Sequence, residues 1–320
     1  MKLNMFWWKR IVIASALLTA LFLCGCGGLP VMTQDRVAYT VKDYTGAEVS
    51  FAEKPTRIIS ASVSTDEILM DLVSQERIAA LTYLADDPGI SCVAERAKSI
   101  KGRIRGDNAE GIMAFQPDLV IVPDFVKAEA VQSLRDLGLK VYVYKTAKNF
   151  SEIRQSIIEI GAVVKEERRA AELVHQMDAK LKEIRDKIGD IPDDEQKRVV
   201  LIRTNGVYYS PKSSFSSICR GAMVTDAISV LHRATGFLLS EEEIVKLDPD
   251  VFVVMDWNYD GKHDAREQVK MLLENPSYRT TKAVRNNSVV MLPSAHILAL
   301  SHYVTLGVEE LARAVYPEKF

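Results

Sequence analysis

Residues 108–124, Asn-Ala-Glu-Gly-Ile-Met-Ala-Phe-Gln-Pro-Asp-Leu-Val-Ile-Val-Pro-Asp, align without gaps on residues 240–256, Ser-Glu-Glu-Glu-Ile-Val-Lys-Leu-Asp-Pro-Asp-Val-Phe-Val-Val-Met-Asp. Glu110/Glu242, Ile112/Ile244, Pro117/Pro249, Asp118/Asp250, Val122/Val254 and Asp124/Asp256 are identical. Each copy describes the same unit. Asn108 or Ser240 stands at a helix N-cap, and acidic residues in the first turn suit the helix dipole. Pro-Asp stops the helix. A continuous apolar run, Leu119–Val122 or Val251–Val254, then reads as a strand buried on both faces, as in a parallel sheet.

Alternating elements flank both copies. In the first half, Arg57–Ser60 reads as a strand, Thr65–Val73 as a helix, Ile78–Thr82 as a strand, Lys127–Leu137 as a helix and Lys140–Tyr144 as a strand. Val199–Arg203, Met223–Leu231, Val251–Met255, Ala265–Leu273 and Val289–Leu292 continue the strand–helix alternation in the second half. The pattern predicts two α/β lobes. Between them, Ala170, Leu173, Val174, Met177, Leu181, Ile184 and Ile188 recur every three or four residues, the spacing of one buried helical face. Gly189 and Pro192 end that helix. About 22 residues make a rod of roughly 33 Å, read here as a strut joining the lobes. The boundaries expected are an N-terminal α/β lobe at 37–164, a connecting helix at 165–190 and a C-terminal α/β lobe at 191–320.

The first residues follow another logic. Lys2, Lys9 and Arg10 precede an apolar run from Ile11 to Leu23, followed by Cys24-Gly25-Cys26. The run is short of the roughly 20 residues that span a bilayer, and a basic head before it describes an export signal. Leu23, Gly25 and Cys26 resemble a bacterial lipobox, so residues 1–25 are expected to be a lipoprotein signal peptide. Cys26 is the expected lipidation site and residues 26–36 a lipidated tether. Removing 1–25 takes away three cations and moves the formal charge from −2 to −5. Such a balance gives no support to nucleic-acid binding. Four cysteines are too few for a disulfide framework; Cys92 and Cys219 are read either as a pair or as lone buried thiols.

Thr56-Arg-Ile-Ile-Ser-Ala-Ser-Val-Ser-Thr-Asp-Glu67, both Glu…Pro-Asp units, Glu274-Asn-Pro276, Ala283–Val290 and a closing Val308–Pro317 helix occur in this order. Together they resemble the ABC-transporter substrate-binding proteins for iron complexes and vitamin B12, over essentially the whole chain after the signal. The resemblance implies two Rossmann-like α/β lobes joined by one long rigid α-helix, with the ligand cleft between them. It implies a monomeric receptor, lipid-anchored outside the cytoplasmic membrane, that delivers its cargo to an ABC permease dimer with its cytoplasmic ATPase. It also implies that Glu110 and Glu242, one surface acid per lobe, dock into arginine pockets on the permease. The expected ligand is a small-molecule metal chelate: a ferric siderophore, haem or a cobalamin-type corrinoid. No intrinsic cofactor is expected.

In open α/β sheets, ligands bind beyond the carboxyl ends of the strands. That rule selects the loop Ser60–Ser64 with Ser62, then Tyr83, Asp124 and Phe125 in the first lobe, with Arg103 and Arg105 nearby. In the second lobe it selects Arg203, Asn205, Tyr208, Trp257 and the stretch Ser294–Tyr303 with His296. Aromatic faces with a few cations suit a large flat or anionic chelate. The alternative is a direct Zn²⁺ or Mn²⁺ receptor, which takes a His/carboxylate cage from both lobes. All five histidines, at 175, 232, 263, 296 and 302, lie beyond the first lobe. Ile104 stands where the vitamin B12 binder has a tryptophan, so the corrinoid match is partial. The other alternative is an exported enzyme. The chain shows no nucleophile-elbow, metalloprotease, Walker or dinucleotide motif, and a binder that leaves its ligand unchanged is the expectation.

Overall fold

The structure, a computed structural model, describes residues 38–320 apart from 106–107, 204–205, 211–212, 232–234, 260 and 263. The expected signal, Cys26 and the tether lie outside the described residues. An antiparallel hairpin, β1 (Tyr39–Lys42) and β2 (Glu48–Phe51), leads into the first lobe. Asp43 builds its turn: Oδ1 accepts from Thr45 N (2.9 Å), Thr45 Oγ1 (2.7 Å) and Ala47 N (3.0 Å). Oδ2 accepts from Arg135 at 2.6 Å and from Val143 N at 3.3 Å. Asp43→Ala strands a half-buried guanidinium and several amides, and is expected to cost about 3 kcal/mol in a urea titration. A loss below about 1 kcal/mol, the usual size for an exposed pair, would show that Asp43 does not hold the hairpin to the lobe.

The first sheet contains β3 (Ile58–Ser60), β4 (Ile78–Thr82), β5 (Arg103–Ile104), β6 (Leu119–Pro123) and β7 (Val141–Tyr144). Its strands are all parallel, in the order β5-β4-β3-β6-β7. Helices α1 (Val63–Leu72), α2 (Ala94–Ala97), α3 (Ala109–Met113) and α4 (Ala128–Asp136) connect them. Then α5 (Phe150–Val164) turns into α6 (Glu167–Ile188) through Lys165, whose φ of +57° breaks the helix. The second sheet contains β8 (Arg198–Ile202), β9 (Thr225–Asp226), β10 (Val251–Met255) and β11 (Val289–Leu292). It is also parallel, in the order β11-β10-β8-β9. Its helices are α7 (Ser214–Gly221), α8 (Glu241–Leu247), α9 (Ala265–Glu274), α10 (Lys282–Arg285), α11 (Ser294–Ile297) and α12 (Val304–Val315). Among the described residues no helix is long and apolar enough to cross a membrane.

The repeated segment has the same geometry in both lobes. Gln116 (φ +48°) and Asp248 (φ +43°) both turn left-handed just before the shared proline. The next residue staples the central strand: the Asp118 carboxylate accepts from Thr56 N, Thr56 Oγ1 and Arg57 N, and Asp250 accepts from Arg198 N. At the far end of the strand, Asp124 accepts from Thr146 N and Oγ1, while Asp256 accepts from Ser294 N, each reaching the segment after the neighbouring edge strand. The caps differ. Ser240 forms a reciprocal capping box with Glu243, whereas the Asn108 side chain makes no cap bond.

The stretch Met223–Leu231 departs from the expected alternation. Its helix lies earlier, at α7, with Ser213 as the side-chain cap. Met223 turns left-handed at φ +56°. Thr225–Asp226 then pairs with β8, and Asp226 caps one 3₁₀ turn at Ala227–Val230. An apolar spacing compatible with a helix is overridden by the edge pairing available to the backbone.

Helix α6 packs on α1 and α5 of the first lobe and on α7 and α12 of the second. Ala170, Leu173, Met177, Ile184 and Ile188 are buried, while Val174 and Leu181 are partly buried against the same core. One apolar layer therefore runs continuously from Ile58 and Ile121, through α5 and α6, to Val199, Leu201 and Leu311. Separate clusters cover the opposite face of each sheet. Cys92 and Cys219 are free thiols.

Candidate functional site

In both sheets the strand order reverses at the first strand, since β3 lies between β4 and β6, and β8 between β9 and β10. Loops leaving such neighbouring strands in opposite directions open a crevice. In the first lobe that crevice is a cavity of about 440 Å³. Ala61–Ser64 follow β3, Thr82–Leu84 close β4, Phe125 follows β6, and Tyr144 and Thr146 come from the end of β7. Ile90 adds a wall, and Leu298–Leu300 of the second lobe close the far side.

Ser62 caps α1, its Oγ accepting from Thr65 N at 3.2 Å. The Tyr144 hydroxyl lies 2.8 Å from both Ser62 Oγ and Ser64 Oγ, and burial raises its pKa. This small hydroxyl network satisfies the polar atoms of a wall that is otherwise apolar. Phe125 is 71 % exposed and Tyr83 41 % exposed, so both rings are open to a molecule entering the cavity they line.

Glu67 is the one carboxylate among the described lining residues, and it is buried. Oε1 accepts from Cys92 N at 2.9 Å and Oε2 from Ser301 Oγ at 2.5 Å, so it ties α1 to the second lobe. Burial raises its pKa against those two hydrogen bonds. Beside it Asp66 is fully buried, accepting from Thr82 N at 3.2 Å and Thr82 Oγ1 at 2.5 Å. Desolvation pushes Asp66 up to about 7 although its hydrogen bonds from Thr82 and Ser60 oppose the shift.

A recess of about 490 Å³ adjoins the cavity through Tyr83, lined also by Asp86, Arg103, Ile104, Arg105, Asn108 and Gly111. The two arginines differ. Arg103 is committed to the fold: its Nε donates to Asp86 at 2.7 Å, and its other nitrogens donate to the carbonyls of Ala97, Ile100 and Gly102. That contact lowers the Asp86 pKa. Arg105 is exposed and lies over the Tyr83 ring, 4.1 Å from its centroid, which places a cation at the cavity rim.

Other candidate residues lie elsewhere. Arg203 and Tyr208 line a separate pocket of only about 20 Å³, and Asn205 lies outside the described residues. His296 does not line the cavity; its Nδ1 lies 2.8 Å from Glu310 on α12. Asp124 holds Thr146, as described above. Trp257 also lies off the cavity wall, donating from Nε1 to Asp87 Oδ2 of the first lobe at 2.8 Å. Glu110 and Glu242 are exposed in the first turns of α3 and α8. The rule for strand ends picks out Ser62, Tyr83 and Phe125. Tyr144 and Thr146 obey the same rule at β7, where it was not applied, whereas nothing in the local sequence marks Glu67 or Ile90. Among the described residues, no three His, Cys, Asp or Glu side chains gather as a metal site.

Comparison with known proteins places this geometry. The chain is 27 % identical over 325 residues to the uncharacterized ABC transporter substrate-binding lipoprotein YvrC of Bacillus subtilis, covering 96 % of this chain and 97 % of that one. It is 22 % identical over 261 residues to a cobalamin-binding protein of Halobacterium salinarum, covering 81 % and 69 %. The fold matches that of the periplasmic haem-binding protein RhuT of Roseiflexus sp. RS-1, with a TM-score of 0.69 at 21 % identity over 82 % of this chain and 99 % of that one. It also matches the molybdate-binding protein MolA of Haemophilus influenzae, with a TM-score of 0.71 at 20 % identity, covering 88 % and 92 %. The family profile for periplasmic binding proteins matches residues 59–296, which takes in both sheets and the cavity wall of the first lobe, and the chain belongs to that family.

Proposed function

We propose that this protein is the substrate-binding lipoprotein of an ABC importer, and that it captures a bulky metal chelate for delivery to a permease dimer. The chelate class is ferric siderophore, haem or cobalamin-type corrinoid. The observation that carries this reading is the cavity of about 440 Å³, walled by Ala61, Val63, Tyr83, Leu84, Ile90, Phe125 and Leu298–Leu300. Its size lies within the range of small-molecule sites, and aromatic and aliphatic walls suit the faces of a large chelate. Arg105 over Tyr83 supplies a cation at the rim for carboxylates or other anionic groups at the ligand's edge. Glu110 and Glu242 are proposed as the two permease contacts, and Cys26 as the lipid anchor outside the cytoplasmic membrane. The family is one of binding proteins, and no change to the ligand is proposed.

A bare cation or a small oxoanion is the competing cargo. The cavity supports it less, because a lone buried carboxylate already holding two donors is a poor cage for a divalent ion. Titration of the protein with haemin, cyanocobalamin, ferric siderophores, Zn²⁺, Mn²⁺ and molybdate separates the readings. Trp257 is the only tryptophan beyond residue 8, so its quenching reports mainly on the lobe interface. One chelate is expected to bind at about micromolar Kd or tighter. Silence across the chelates with binding of free Zn²⁺, Mn²⁺ or molybdate would overturn the proposal.

A further inference from the structure

The apolar layer shared through α5 and α6 fixes the lobes to each other along one side. Lobes joined through a large hydrophobic interface do not swing freely. Movement that admits a ligand must then come from the loops that meet across the cavity, and one such meeting is specific.

The loop after β4 does two things. Leu84 and Ile90 face the cavity. Between them, Asp87 Oδ1 accepts from Gly89 N at 2.8 Å, which orients the carboxylate, and Oδ2 accepts from the Trp257 indole N–H at 2.8 Å. Gly89 makes room for the ring: a Cβ there would lie 2.3 Å from Trp257 Cδ1. On the second lobe, Trp257 N donates to Ser294 Oγ at 2.9 Å, and Asp256 Oδ1 accepts from Ser294 N at 2.7 Å. Tyr259 packs on the indole at 5.7 Å between centroids. Ser294 opens α11, which runs into the cavity wall at Leu298–Leu300. The indole therefore connects the turn that carries one wall to the loop that carries the other.

We propose that Asp87, Gly89 and Trp257 form a clasp that holds the two cavity walls together and sets how long the ligand stays bound. The proposal rests on the cavity being the ligand site. Asp87→Ala removes both acceptor oxygens, Trp257→Phe removes the donor, Gly89→Ala displaces the ring, and Asp87→Asn retains one acceptor oxygen of the two.

Two measurements on the full-length protein test it. In the ligand-free protein, hydrogen exchange over residues 84–90 and 298–300 is expected to accelerate in Asp87→Ala and Trp257→Phe, with Asp87→Asn, which keeps one acceptor oxygen for two donors, falling between Asp87→Ala and wild type. With haemin, cyanocobalamin or a ferric siderophore bound, stopped-flow release followed by chelate absorbance is expected to be about tenfold faster in Asp87→Ala and Gly89→Ala, the scale of one net hydrogen bond. Unchanged exchange in Asp87→Ala, or release no faster than wild type, would overturn the clasp. If none of the chelates binds wild type, the proposed ligand class fails, while the exchange comparison still decides whether the clasp exists.

Discussion

Replacing Glu110 and Glu242 together by arginine is expected to abolish uptake while leaving ligand affinity unchanged. Both carboxylates are exposed, on helices that precede equivalent strands, β6 and β10, in the two sheets. Neither side chain belongs to the cavity or its adjoining recess. Among the described residues Glu242 pairs with an exposed Lys246 at 3.6 Å, a contact of little energetic consequence that leaves it available to a partner. Two acids at matching places on a repeated scaffold suit a two-fold symmetric partner, and a charge reversal at such an interface costs several kcal/mol in like-charge contact. Each single reversal should leave partial transport. Uptake measured with the cognate permease and ATPase, beside chelate titration of each purified variant, checks this. Undiminished uptake in the double variant would remove the two acids from the docking role, and so would a parallel loss of ligand affinity.

Asp66→Asn is expected to flatten the pH dependence of stability between about pH 4 and pH 7. The buried Asp66 carboxyl is pushed up to about 7, well above its value in the unfolded chain. Between those two values the folded protein holds a proton that the unfolded chain has released, so stability is fully present in acid and is lost as pH rises toward 7. The full swing from this group is on the order of 4 kcal/mol. Glu67, also raised by burial, acts in the same direction. Asp71 acts in the opposite one: hydrogen bonds from His302, Arg96 and Tyr303 outweigh its desolvation and lower its pKa, so its contribution is lost as pH falls. The test is accordingly a difference. Asparagine imitates the protonated acid toward Thr82, so the advantage of wild type over Asp66→Asn in denaturant titrations should shrink as pH rises from 4.5 to 7.5. A constant difference would show that Asp66 does not titrate in this window. Asp66 holds Thr82 to α1, so this proton also bears on two walls of the cavity.

Much of the fold was legible because its signals are local. The buried runs of β6 and β10, the cap of α8 and the apolar stripe of α6 depend on neighbours within one or two turns. The region Met223–Leu231 was misread for the converse reason, since its backbone takes a partner, β8, some 25 residues earlier. The shared aspartates were read as helix stops, or for Asp124 as a ligand contact. In the structure they tie the start and end of the central strands to neighbouring segments in both lobes, which accounts for their recurrence in the repeat.

The site was legible by position and opaque by direction. Strand ends identify Ser62, Tyr83 and Phe125, because parallel strands present their loops at one edge. They do not say which side chain of a loop turns inward. Arg103 and Arg105 are two residues apart, yet one is consumed by Asp86 and three carbonyls while the other remains at the rim. His296 turns to Glu310, and Trp257 reaches Asp87 across the lobes. The sequence by itself determined two matched α/β units, the helix between them and the edges where ligand can bind, because hydrophobic period, caps and breakers act over a few residues. Only the tertiary structure decided which groups wall the cavity, which are spent on the scaffold and what joins the lobes. Those outcomes depend on partners that are distant in sequence, and burial and hydrogen bonding assign them only once the chain has closed.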